Sequence, residues 1–219
     1  YAFTVGNFTA QVVTVSVVVN GITLDDSPQI EFLAAPPADL IIAANPGNTT
    51  AGEIIPGPPT VLIEDRFENP VPLVSVSVSE QDGQPFASGT LTVQTNLSGE
   101  AVFDDLVIEN AGQYNLVFSS SGLSNLTSNV FDVAPAEAVA AQSTADVPGG
   151  SAGVQTDISI VVRDAFGNGV DGVSDDLSVS VSGANAGATV NTIAAQGDGE
   201  YSTFYTPSLT GEDIIGITL

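Results

Sequence analysis

Residues 74–79 read Val-Ser-Val-Ser-Val-Ser, and residues 177–182 read Leu-Ser-Val-Ser-Val-Ser. Alternation at a period of two puts the apolar side chains on one face of a strand and the hydroxyls on the other. Each stretch therefore predicts a strand with one face in a core and one in water. The same period runs through 11–19, where Val13, Val15 and Val17 alternate with Thr14 and Ser16, and it stops at Asn20-Gly21, a pair suited to a tight hairpin. Further strands are expected at 29–33, 40–44, 60–64, around Leu91 and Val93, at 100–103 and at 129–133. Between them, 111–118 places Tyr114, Leu116 and Phe118 on one face. No segment sustains a 3.6-residue apolar period, so the chain is expected to be all-β.

One stretch occurs twice. Residues 60–71 carry Asp65, Phe67, Asn69 and Val71 after an apolar strand, and residues 159–170 carry Asp164, Phe166, Asn168 and Val170 at the same spacing. The offset is about 100 residues, the length of a small β-sandwich. Other pairs keep step with it: Pro46-Gly47 with Pro148-Gly149, Ala51-Gly52 with Ala152-Gly153, and Gly99-Glu100 with Gly199-Glu200. The chain divides accordingly into residues 1–35, the last strands of an incomplete domain; 36–134, a complete domain; and 135–219, a domain expected to lack its last strand. Phe3–Thr9 resembles Phe204–Thr210, so the two ends overlap in the repeat. Between Val170 and Leu177 the later copy has about three extra residues, including Asp175-Asp176, which fit a loop.

Composition narrows the chemistry. The 219 residues are 43% hydrophobic and 13% charged, enough apolar surface for real cores. Against 26 acidic residues stand two cations, Arg66 and Arg163, for a net charge of −24. Such a surface repels phosphate backbones and anionic headgroups, so neither nucleic acid nor a membrane surface is expected as partner. No apolar run reaches the length of a membrane span. His, Cys, Met and Trp are absent, which excludes His or Cys metal sites, thiol nucleophiles and triads built on His. No catalytic residue and no cofactor are expected.

The run 99–103 (Gly-Glu-Ala-Val-Phe), the segment 111–114 (Ala-Gly-Gln-Tyr), the closing 128–133 (Ser-Asn-Val-Phe-Asp-Val) and the Asp-x-Phe-x-Asn-x-Val corner resemble the bacterial immunoglobulin-like repeats of invasin/intimin type and the related filamin-like repeats. Residues 197–207 are similar to the same repeats' late strands. The resemblance spans nearly the whole chain. It implies tandem immunoglobulin-like β-sandwich domains, partial at both ends, in extracellular stalks, adhesins, surface layers or fibres. Tyr114 sits where such a domain places its tyrosine corner, whereas Val12 and Asp213 stand there in the other copies.

Three sets of residues are candidates for chemistry. Asp65, Asn69, Asp164 and Asn168, with Glu64, Glu68 and Asp171 nearby, are hard oxygen ligands close in sequence and form a weak calcium candidate. The alternative, which the sparse spacing favours, is that Asp caps the turn, Phe fills the core and Asn takes a left-handed backbone. The pairs Asp25-Asp26, Asp104-Asp105 and Asp175-Asp176 have the residue type of an acid/base couple, but neighbours on a strand face opposite ways and those on a loop are solvated. Four Asn-x-Ser/Thr sequons, at Asn7, Asn48, Asn96 and Asn125, fall near predicted turns and are glycosylation candidates.

The expected function is structural: a subunit or segment of an extracellular fibre or stalk at the cell surface, self-associating with identical or tandem copies, with strands from Gln11 to Leu33 of one copy completing residues 135–219 of another. The alternative is an adhesin stalk whose ligand-binding tip, for a receptor or glycan, lies outside this chain.

Overall fold

The computed structural model describes residues 5–23, 25 and 28–219. The Phe3 end of the Phe3–Thr9 match, Asp26 and Ser27 lie outside them. The first strands are β1 (Gln11–Thr14), β2 (Val18–Val19), β3 (Ile22–Thr23), β4 (Gln29–Phe32), β5 (Pro37–Ala44), β6 (Thr49–Thr50) and β7 (Thr60–Asp65). There follow β8 (Ser75–Glu80), β9 (Thr92–Gln94), β10 (Glu100–Val102), β11 (Gly112–Tyr114), β12 (Leu116–Ser119), β13 (Leu126–Thr127) and β14 (Phe131–Ala134). The last are β15 (Thr144–Asp146), β16 (Thr156–Val161), β17 (Ser178–Gly183), β18 (Ala194–Gly197), β19 (Glu200–Tyr205) and β20 (Asp213–Thr218). The described residues contain no helix. The chain forms two compact units: residues 1–48, 54–107 and 113–131 in one, and 49–53, 108–112 and 132–219 in the other.

The first unit is built on the sheets β10-β7-β5 and β13-β12-β8-β9. The alternation in 74–79 does what its period requires, with Val76 and Val78 buried and Ser75 and Ser79 in water. Val61 and Ile63 come in from β7, and the rings of Phe103 and Phe118 meet at 5.6 Å. Residues 111–118 form two strands rather than one continuous strand. β11 joins β14, while β12 joins β8, so the chain changes sheet at Asn115, whose side-chain amide donates to the Ser128 carbonyl at 2.9 Å. Residues 11–19 are also divided. β1 pairs with β4, and β2 pairs with β3 across Asn20-Gly21, both at positive φ as a two-residue hairpin turn demands.

The second unit contains β15-β16-β19-β18 and β17-β20. Its core gathers Ile158, Ile160, Val162, Leu177, Val181, Tyr201 and Tyr205. Tyr201 is buried and still satisfied, because its hydroxyl donates to the Val170 carbonyl at 2.8 Å and accepts the Val173 N–H at 3.2 Å. Residues 174–176 form a turn in which Asp175 and Asp176 are exposed.

Candidate functional site at the repeated corner

Asp65 to Asn69 closes a tight hairpin. The Asp65 N–H donates to the Asn69 carbonyl at 2.9 Å, the Glu68 N–H donates to the Asp65 carbonyl at 3.0 Å, and Glu64 bridges to Pro70 beyond it. A loop of this length needs its last residue in the left-handed region. That residue is Glu68, at φ 65°, and in the second copy Gly167, at φ 89°. The left-handed position thus precedes Asn69 and Asn168, correcting the expectation that Asn itself would adopt it.

The Asp65 carboxylate is an acceptor on both oxygens. Oδ1 takes the N–H of Phe67 at 2.8 Å and of Asn69 at 3.0 Å, and Oδ2 takes the Ala35 N–H at 2.7 Å. The Asn69 side-chain amide reaches both oxygens, at 3.1 and 3.0 Å. Asn69 then reaches to the loop some sixty residues earlier: Nδ2 donates to the Phe8 carbonyl at 2.7 Å, and Oδ1 accepts the Ala10 N–H at 2.8 Å. Burial raises the Asp65 carboxyl, but the hydrogen bonds from the Asn69 side chain and from the N–H groups of Asn69, Ala35 and Phe67 outweigh it and hold the pKa at about 2 against an ordinary 3.8.

Unit two repeats the arrangement. Asp164 Oδ1 takes the N–H of Phe166 at 2.8 Å and of Asn168 at 2.9 Å, and Oδ2 takes the Ala136 N–H at 2.9 Å and Asn168 Nδ2 at 2.7 Å. Asn168 Nδ2 donates to the Glu109 carbonyl at 2.7 Å, and its Oδ1 accepts the Ala111 N–H at 2.8 Å. Burial raises the Asp164 carboxyl and the bonds from Asn168, Ala136 and Phe166 bring it below its ordinary value. Each corner therefore gathers a linker about thirty residues back and a loop about sixty residues back. The four calcium candidates stand as two Asp–Asn pairs whose oxygens face N–H groups. Among the described residues no three acidic side chains converge on one point, and Asp171 accepts the Gly199 N–H at 2.8 Å instead.

The Phe of the corner does not fill the core, as the capping alternative assumed. Phe67 is 36% exposed and Phe166 39% exposed. Phe67 lies against the Phe8 ring at 4.9 Å, under the Arg66 guanidinium at 4.5 Å, while the Phe166 ring covers Gly52 so closely that an added Cβ would meet it at 2.4 Å. The phenyl rings cover the surface of the corner because the hairpin turns them back toward earlier residues of the same unit.

Other candidates stay apart. Asn7, Asn48, Asn96 and Asn125 are all exposed and outside strands. Asn7 Oδ1 accepts the Thr9 N–H at 3.1 Å, and Asn96 Oδ1 accepts the Ser98 N–H at 2.8 Å. Asp105 binds Thr90 through both oxygens, and the Thr90 N–H and hydroxyl lower its pKa. Sequence reading missed one cluster. Asp213 accepts the Tyr205 hydroxyl at 3.0 Å and the Asn185 N–H and side-chain amide at 2.8 and 2.9 Å, and the Asn185 bonds lead the lowering of its pKa. The signal was the carboxylate standing where the first unit has Tyr114.

Neither a protein-family model nor a curated protein matches this chain. Solved structures do. FdeC, a broadly conserved Escherichia coli adhesin, superposes with a TM-score of 0.56 at 19% identity over 95% of this chain and 69% of that one. InvD of Yersinia pseudotuberculosis gives 0.53 at 21% identity, covering 81% of this chain and 52% of that structure. This chain shares the all-β, immunoglobulin-like fold of these structures. The all-β fold expected from the alternation, and the immunoglobulin-like domains that the resemblance implied, are thus the observed ones.

Proposed function

We propose that this chain is a segment of a cell-surface stalk of tandem Ig-like repeats. Its work is spacing, with no catalytic step. The observation that carries this reading is the duplicated corner: twice, an Asp fixes the linker and an Asn fixes a loop of the preceding repeat, by backbone bonds within 0.2 Å of each other in length. A device that ties the linker and an earlier loop to each unit in the same way is what a regular spacer requires. Acidity fits the same role, since a surface with net charge −24 keeps neighbouring stalks apart. The exposed sequons of the first unit are available to glycans.

Two versions of the stalk differ in their partner. In a fibre, copies associate through strands; in an adhesin, the stalk holds a tip beyond this chain, the version favoured by the likeness to FdeC. Immunogold electron microscopy of native cells, with antibody to this chain, tests the reading. Label on surface projections with an axial repeat of about 40 Å per module supports it. Label confined to the cell interior overturns it.

A further inference from the structure

Charge is divided unevenly between the two sheets of the first unit. In β10-β7-β5 the outward residues include Asp39, Glu64 and Glu100: Asp39 stands opposite Glu64 and Glu100 opposite Leu62, while the alternate residues Val61 and Ile63 are buried. The sheet β13-β12-β8-β9 has no outward charge. Ser75, Ser77 and Ser79 face out from β8, with Gln94, Thr92 and Val117 in register beside them. The charged residue of these four strands, Glu80, lies on the inward phase, where its buried carboxylate accepts the N–H groups of Asp82 and Gln84 at 2.8 and 2.9 Å.

The second unit repeats the division. Asp146, Asp157 and Glu200 lie on the outer face of β15-β16-β19-β18, whereas β17-β20 presents Ser178, Ser180 and Ser182 opposite Thr218, Gly216 and Ile214. Asp213, the charged residue of that pair of strands, is bonded to Tyr205 and Asn185 instead. Each unit thus keeps one uncharged, hydroxyl-bearing sheet face in a chain of net charge −24. Most of these hydroxyls are satisfied within their own sheet. Ser77 and Thr92 bond each other at 2.8 Å, Ser178 and Thr218 do likewise, and Ser180 and Ser182 donate to the Gly216 and Ile214 carbonyls at 3.3 and 3.2 Å. A glycan site needs donors turned toward the ligand. Donors engaged within the sheet suit a dry partner, which covers them without orphaning them.

We propose that the uncharged sheet face is a lateral contact surface, and that its occupant is the same face of a second copy of this chain. The proposal rests on the stalk reading and adds where two stalks touch. Carboxylates hold copies apart at the opposite sheet, and here two copies meet without opposing charge. A face that meets its own copy is isologous, so the contact closes on a pair. At about 3.3 Å per residue and 4.8 Å per strand, the four-stranded face of the first unit measures about 400 Å². Two such faces bury about 800 Å², short of the roughly 1,200 Å² of a stable complex. The contact is therefore weak and reversible, and salt strengthens it. The Debye length falls from about 10 Å at 0.1 M to about 3 Å at 1 M, and the acidic sheet lies about 10 Å behind the contact face.

Sedimentation equilibrium of the full chain in 0.1 and 1 M NaCl tests this. Reversible dimerisation that tightens about tenfold or more with salt is the expected result. Ser79→Glu combined with Ser180→Glu, both at exposed outward positions, should weaken it about tenfold or more. Asp39→Ser, on the acidic sheet, should leave it unchanged or tighter. Circular dichroism melting shows whether each variant folds, and either single Glu variant gives the same sign if the double one does not. A chain still monomeric at about 1 mM in 1 M NaCl overturns the proposal. So does association that resists the Glu variants or weakens with salt, and so does saturable dextran binding by a chain that stays monomeric, which would assign the face to a neutral glycan. Those results leave the stalk reading standing; label absent from the cell surface defeats the stalk reading itself.

Discussion

The corners at Asp65 and Asp164 share their polar skeleton and differ in their apolar covering. Both carboxylates bind a linker alanine, and both asparagines bind one carbonyl and one alanine N–H of an earlier loop. Around that skeleton the first corner stacks Phe67 on Phe8 beneath Arg66, whereas the second lays Phe166 on Gly52 and has Ala165 in place of Arg66. Directional bonds to the backbone constrain the geometry, and dispersion contacts tolerate substitution by other surfaces of similar area. The comparison teaches that the Asp–Asn pair defines the corner and the aromatic ring only covers it.

The sharpest way to break the equivalence is pH. Both carboxylates have native pKa values below the ordinary 3.8, Asp65 at about 2. A depressed carboxylate contributes stability that is complete above the unfolded pKa and is lost as pH falls through the native one. Calorimetry should therefore show both units keeping their corner stabilisation at pH 5 and losing it from about pH 4 toward pH 2. Loss beginning near pH 6 would implicate other groups.

Next in size are the single Asp substitutions. Asp164→Ala leaves the N–H groups of Ala136, Phe166 and Asn168 without their acceptor, and the thermal midpoint of the second unit should fall on the order of 10 °C while the first is spared. Asp65→Ala should do the converse. Asn168→Ala removes only the bonds to Glu109 and Ala111 and those to Asp164, and denaturant unfolding should register about 1–3 kcal/mol. Smallest is the aromatic difference: Phe67→Ala forfeits a ring pair worth about 0.5–1.5 kcal/mol beyond its area, so it should cost more than Phe166→Ala. Equal costs would mean that the coverings are equivalent after all.

Much of this was legible in the sequence for a physical reason. Period-2 alternation is a direct image of burial, so the strands at 75–80 and 178–183 could be read from their serines and valines. The Asn20-Gly21 turn announced itself through its backbone requirement. What stayed hidden was held by backbone groups, which every residue carries alike. Nothing in the identity of Ala35 or Ala111 marks them as donors to Asp65 and Asn168. The sheet switch at Asn115 was equally silent, because Tyr114, Leu116 and Phe118 keep one apolar phase through it and remain buried on both sides. The corner was recognised as important from its recurrence, and its reach to earlier residues needed the structure.

Amide hydrogen exchange at Ala111 and Ala136 tests the corner most directly. Each N–H has its acceptor in the second corner, Ala111 on Asn168 and Ala136 on Asp164. Both should be protected in the unsubstituted chain, and Asn168→Ala should release Ala111 while Ala136 remains slow. Fast exchange at both sites before any substitution, or unchanged protection of Ala111 after it, would contradict the claim that the repeated Asp–Asn pair fixes the linker and the earlier loop in each unit.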